Sequence, residues 1–432
     1  MLHAHLGVTR GTVTATDPSR ADRAPRADAL PAEAPTAEPA KAERPKIDLS
    51  AFARDIDALR AELEAGLGER DLAHFRKMER WGKLASTLGY ATAWIAPNPV
   101  SSLLLALGSS ARWTIVMHHV SHKGLDAVPG APERLRSKVF ARGLRRRLVD
   151  WLDWVDPEAW AYEHNVLHHY RTGEEADPDL VEQHMQTVRD AAIPRAAKLG
   201  VVGFYAFTWR LSYYAPNTFQ VLRQAERDRA ARKSQAERAA DAPAAETRIL
   251  ASFDPRTEEG RAFYESVAPY ALGRFVAGPL AFLPLGPGAV ASVFANTLAA
   301  EAISNLHTFC LIAPNHAGSD LFRFDERPES RAELYARQVL GSANYTGGSD
   351  WADFLQGYLN YQVEHHLFPE LPPSKLREAQ PRVEALCKKH GLPYVREPIG
   401  RRVKQLVDVM TGQGSMRRAK NAKAAAEAIA AG

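Results

Sequence analysis

Histidine is the residue in this 432-residue chain whose placement could do unusual chemistry. Fifteen histidines should give about half of one adjacent pair by chance. The sequence has three pairs, His118-His119, His168-His169 and His365-His366. They fall in three short runs: HHVSH (118–122), HNVLHH (164–169) and QVEHH (362–366). His118 and His122 are four apart, as are His164 and His168, so on a helix each pair shares a face. His169 follows about 100° further round. Gln362, His365 and His366 are three and four apart, again on one face. Each run therefore aims two or three nitrogen or oxygen ligands in one direction, and three runs can build a site for two metal ions. Imidazole suits zinc, copper, iron and nickel; oxygen activation calls for iron with open positions. The acids beside the runs, Glu163, Glu364, Asp177 and Asp179, can accept the spare imidazole N–H and fix each ring. A lone HxxxH is more often a coincidence or a satisfied core pair. Three such runs, each near an apolar segment, reverse that reading.

Two further histidines lie in NLHTFCLIAPNHAGSD (305–320). His307 is inside an apolar run, where an ionisable group is functional by default, although a satisfied buried histidine is the alternative. His316 follows Asn315 at the end of the run, at the depth expected for the other clusters. Nine residues separate the two, about half a turn out of phase, so a continuous helix would not aim both at one site.

The elements that must position these groups are read as follows. Residues 1–48 are an Ala/Pro-rich extension without large apolar residues, expected to be disordered, and no secretory leader is expected in them. Residues 49–80 form a charged amphipathic helix with Leu59, Leu63 and Leu67 on its stripe. An apolar hairpin spans 84–117 around Pro97-Asn98-Pro99, and a second spans 268–314, broken at LGPG (285–288), with only Arg274 and Glu301 as charges. If the runs at 164–169 and 365–366 share a site, an even number of crossings separates them. The second hairpin supplies two, so 199–216, rich in Trp, Tyr and Arg, is expected as an interfacial helix. The basic run 134–148 places the loop after the first hairpin on the cytoplasmic side. A polar insert occupies 223–260, a soluble helical segment 373–410, and a flexible Lys/Ala-rich tail 413–432. The expected fold is thus an all-α integral membrane protein: about four transmembrane helices in two hairpins under a cytosolic helical cap carrying the histidine runs. Mean hydropathy is −0.32, so much of the chain lies in water. Net charge of +4 is no nucleic-acid footprint, and two cysteines outside any CxxC make no disulfide framework.

HxxxH, HxxxHH and QxxHH interleaved with two apolar hairpins resemble the membrane-bound fatty acid desaturase superfamily. LFPELPPSKLREAQPRVEALCKKHGLPY (367–394), HHYRTGEEADPDL (168–180) and Asn315-His316 resemble its acyl-lipid, front-end branch. The likeness covers about residues 70–410. It implies a four-helix membrane stem, a cytosolic cap, and two non-haem iron ions held by His118, His122, His164, His168, His169, His365 and His366, with His316 adding one ligand. Gln362 stands where many relatives have His, as a ligand or a donor to metal-bound water; His119 stands where they often have Asp. The likeness also implies that O2 is reduced with two external electrons while a long acyl chain loses two hydrogens, leaving a cis double bond. The acyl group would be carried by a lipid, coenzyme A or a carrier protein. No His-Pro-Gly-Gly haem motif is present, so a separate ferredoxin-like or cytochrome-type donor is expected. The implied location is a bacterial inner membrane with the histidines on the cytoplasmic side.

Two rival functions follow from the same residues. A hydroxylase or ketolase on this scaffold would insert oxygen, and the Gln-led third run argues for desaturation. A metal transporter would hold its ion near the bilayer midplane, whereas these runs lie outside the apolar segments.

Overall fold

The computed structural model describes residues 47–234 and 252–431, with side chains to 229 in the first stretch. All but the last two residues of the expected N-terminal extension, and the middle of the 223–260 insert, lie outside the described residues.

Helix α1 (Leu49–Ala65) starts where the Asp48 carboxylate accepts the N–H groups of Ser50 and Ala51, and it buries Phe52, Ile56, Leu59 and Leu63. The helix expected over 49–80 is in fact two. Gly66 and Gly68 end the first, and the Asp71 carboxylate accepts the Gly68 N–H (2.9 Å) to begin α2 (Glu69–Ala93). α2 continues into the apolar zone and becomes the first arm of the hairpin. Asn98 caps α3 (Pro99–Ser121) by accepting the Ser101 N–H at 2.8 Å. The two arms pack through small residues. A Cβ on Gly108 would lie 2.1 Å from Ser86 Oγ and 2.8 Å from the Gly82 carbonyl, so only glycine allows this approach.

After the basic loop come α4 (Gly143–Asp150) and α5 (Pro157–Tyr162), which runs through a π turn at Glu163–His168 to Arg171. α6 (Arg195–Trp209) passes through another π turn into α7 (Ala215–Ser234), so the expected interfacial helix 199–216 is the middle of a longer rod. Trp209 anchors that rod by donating Nε1–H to the Asn305 carbonyl (3.0 Å). The second hairpin consists of α8 (Glu258–Leu285) and α9 (Pro287–Ile312), turning at Gly286 with φ +100°. Arg210 is fully buried against Asp153 and reaches Glu301 on α9 at 3.5 Å. The Glu301 charge in the second apolar zone is therefore paired.

The cap adds α10 (Arg331–Leu340), α11 (Gln362–Leu367), α12 (Pro373–Lys389), α13 (Ile399–Met410) and α14 (Ala422–Ala431). Two short parallel pairings tie it together: β1 (Phe322–Phe324) with β4 (Arg417–Ala419), and β2 (Asn344–Tyr345) with β3 (Arg396–Glu397). The tail expected to be flexible is thus a strand and a helix. Ala422 and Ala425 of α14 are fully buried against the α1–α12 core, which small side chains allow.

The protein is helical, and among the described residues two helices, α3 and α8, are long and apolar enough to cross a membrane. The other two arms fall short of that composition for visible reasons. α2 carries charge as far as Lys83, and α9 turns Asn296, Glu301, Ser304 and Asn305 inward.

Candidate metal centre

The three runs converge. His118 and His122 come from the end of α3, His164, His168 and His169 from α5 and its π turn, His365 and His366 from α11, and His316 from the residues just after α9. All eight are buried. The π turn matters. With about 80° per residue instead of about 100°, it brings His169 round toward the side of His164, where an α-helix would leave it facing away. The His164 and His168 rings stack at 5.1 Å, and His169 lies 5.0 Å from His164.

The ligand atoms form two groups, each with its atoms within 4.8 Å of one another: His118, His122, His164 and His365, and then His168, His316 and His366. His169 belongs to neither, but its ring lies 4.4 Å from His122 and 4.3 Å from His366. A further set, His164, His168 and Asp179, borders both.

Hydrogen bonds aim the rings. Nδ1–H of His118 donates to the Thr114 carbonyl (3.3 Å), that of His168 to Asp177 (2.9 Å), that of His316 to the Gly341 carbonyl (3.1 Å), and that of His366 to Gln338 Oε1 (2.8 Å). Each leaves Nε2 as a lone pair pointing inward. His118 Nε2 then lies 2.9 Å from His365 Nε2 and 3.2 Å from His164 Nε2. Two imidazoles on one ion, each at about 2.0–2.1 Å, sit about 3 Å apart. Nε2 of His122, Nε2 of His366 and both ring nitrogens of His169 are buried without a hydrogen-bond partner. Such orphaned groups each cost about 1–3 kcal/mol, and a metal ion in each group would satisfy the His122 and His366 nitrogens. Burial, with the neighbouring rings, holds His164, His169, His365 and His366 well below the ordinary histidine range, and burial holds His316 at about 3. Neutral imidazole is the ligating form.

The acids divide by role. Burial opposes charge on Asp177, but His168 and the N–H groups of Asp179 and Gly173 outweigh it and hold the carboxyl below its usual range. Burial likewise opposes charge on His168, and Asp177 outweighs it, raising the ring's pKa. Burial pushes Asp179 up to about 6. Glu364 is pushed up to about 7 by burial, and accepts from Tyr394 (2.7 Å) and Asn344 (2.7 Å), clamping α11. Glu163 is wholly buried beside His164.

Gln362 has its amide nitrogen 3.0 Å from His316 Nε2, and its carbonyl oxygen accepts from Asn315 Nδ2 (3.2 Å), which sets the side chain against the second group. His307 lies in neither group; its Nε2–H donates to the Leu355 carbonyl (2.9 Å), the satisfied buried arrangement. His119 stacks on His118 at 5.1 Å outside both groups. Nothing in the sequence singles out Gln338, which holds His366 and donates to the His169 carbonyl (2.6 Å), or Thr172, which donates to the His168 carbonyl (2.8 Å).

A cavity of about 110 Å³ opens on this centre. His118, His164, His168 and His316 line it together with Trp113, Trp209 and Phe309.

Eight buried histidines at the end of an apolar helical stem could together hold metal. The model of the family described as fatty acid desaturase matches residues 92–398. The chain belongs to that family and is an enzyme of that kind. Among curated relatives, it is 28% identical over 379 residues to the NADPH-dependent stearoyl-CoA 9-desaturase of Mycobacterium tuberculosis, covering 80% of this chain and 75% of the relative. It is 26% identical over 340 residues to the chloroplastic acyl-lipid (7-3)-desaturase of Chlamydomonas reinhardtii, covering 76% and 60%. A shorter match, 38% over 80 residues, is to the Delta(8)-fatty-acid desaturase of Borago officinalis, covering 18% and 17%.

Proposed function

We propose that this desaturase introduces a cis double bond into a long-chain acyl group, using O2, two electrons from a separate donor, and two iron ions. His118, His122, His164 and His365 would hold one ion, His168, His316 and His366 the other, with His169 between them. The observation that carries the proposal is two adjacent groups of buried imidazoles, both opening on a mainly apolar cavity. Bound iron would supply the strong oxidant that an unactivated methylene requires, which side-chain acid–base chemistry cannot. The chain's residues do the rest. Asp177, Gly341 and Gln338 set the tautomers of His168, His316 and His366. Trp113, Trp209 and Phe309 exclude water and confine the methylenes beside the histidines.

The acyl group is proposed to be carried as a coenzyme A thioester, on the lead of the mycobacterial relative, with an acyl lipid as the competing substrate. The stem is proposed to cross the bilayer four times, with α2 and α9 completing the set. The bilayer is proposed to be a bacterial inner membrane, with the histidines and the basic 134–148 loop on the cytoplasmic side. Expression in a host lacking the product, followed by fatty acid profiling, tests the reading. The wild type should yield a new monounsaturated chain and His365→Ala none. A variant that keeps the product would remove His365 from the ligand set, and a hydroxylated product would replace desaturation with oxygen insertion.

A further inference from the structure

A second cavity, about 180 Å³, lies between α2, α3 and the 134–150 segment and shares no lining residue with the first. Residues 84–111 contain no charged side chain; Lys83 and Arg112 bracket them. The hairpin folds these two cations together onto this cavity. Arg134 joins them. Glu79 is already engaged by Lys83 (2.8 Å) and by both guanidinium nitrogens of Arg134 (2.8 Å each), and Asp150 by Arg146 (2.7 Å). Arg112 makes no hydrogen bond or ion pair among the described residues. Three cations line the cavity, Lys83, Arg112 and Arg134, against two carboxylates, Glu79 and Asp150, and Asp150 is also paired with Arg146 from outside the lining. Arg274 on α8, within electrostatic reach of Arg112, has Nε and Nη2 buried and unpartnered.

The depth is informative. Arg112 is six residues before His118, about 9 Å along the helix, at the boundary where the charge-free stretch ends. The edge of the cavity is α4, a short arginine-rich helix whose Leu144 (63% exposed), Leu148 (49%) and Val149 (70%) have no protein to cover them. Leu84 (56%) and Leu88 (46%) are similarly bare on α2 just past Lys83. Basic residues above uncovered apolar ones are the arrangement that seats a charged head group over acyl chains.

We propose that this cavity binds an anionic glycerophospholipid of the bilayer, with its phosphate on Arg112 and Lys83 and its chains along α2 and α4. The proposal rests on the membrane placement argued above but not on the reaction, so it is read by binding alone. The iron-loaded full-length protein, in detergent, is titrated with phosphatidylglycerol, with phosphatidylcholine and with inorganic phosphate, and occupancy is followed by native mass spectrometry. Phosphatidylglycerol should bind about fivefold more tightly per cation engaged than phosphatidylcholine. Arg112→Gln should abolish most of that preference and Lys83→Gln, on the exposed rim, part of it. Equal binding of the two lipids, or an unchanged preference in both variants, overturns the proposal. Displacement of the lipid by millimolar phosphate also overturns it, in favour of a free-anion site. Should Arg112→Gln not fold, the wild-type preference and the Lys83→Gln titration still decide. Loss of desaturation with lipid preference intact would count against the proposed reaction and not against this site.

Discussion

At the scale of single residues, the centre depends on partners that ligate nothing. Asp177 accepts from His168 and is itself held by the N–H groups of Gly173 and Asp179. Asp177→Asn keeps the shape but weakens the acceptor, so iron affinity or turnover should fall about 10–100-fold, measured as iron per chain and product formed. Gln338→Leu should cost a similar factor, because it frees His366 Nδ1 and removes the donor to the His169 carbonyl. Removing a ligand outright is more severe: His365→Ala should eliminate product. The proposed ligands are legible in the sequence because four-residue spacing makes a chemical statement in a helix. Gln338, Thr172 and the Gly341 carbonyl are not, since they reach the site only through tertiary packing from segments with no histidine signal. Gln362 shows the limit of reading by type. Its place in the third run leaves open a ligand or a donor to metal-bound water, and its contacts with Asn315 and His316 come only from the tertiary structure.

Elements set where these residues can go. The α2–α3 hairpin carries His118 and His122, and its close approach at Gly108 fixes their height. Gly108→Ala should destabilise the protein by about 1–3 kcal/mol, seen as a lower unfolding temperature, with the fully folded fraction retaining its iron. Another tie is ionic. Asp350 pairs with Lys77 of α2 and with Arg377 of α12 at 2.6 Å, and these hydrogen bonds depress its carboxyl to about 2. A depressed carboxyl contributes stability that is complete above its unfolded value, near 3.8, and lost as pH falls toward 2. The acid limb of the stability profile should therefore flatten between about pH 4 and pH 2 in Asp350→Asn. Hydropathy and proline placement announced the two hairpins. The π turn at Glu163–His168 was not announced, because π and α turns share one sequence code, and so the reach of His169 could not be read. The break at Gly66–Gly68 was hidden by an apolar stripe that continues through Leu67. The C-terminal strand and helix were hidden by alanine, a residue as common in loose tails as in close-packed helices.

At the scale of the whole molecule, a polar cap closes an apolar stem, and the buried centre lies where they meet. The cluster of orphaned ring nitrogens makes the apo state costly, so binding of metal should stabilise the fold. Chelation of iron should lower the unfolding temperature, and iron restored in excess should recover it. The most direct test of the account is mass analysis of an acyl-CoA after reaction with the iron-loaded protein, an electron donor and O2. The account predicts a product lighter by two hydrogens, absent without O2 and absent with His365→Ala. A product heavier by one oxygen, or a product that persists without O2, would contradict it.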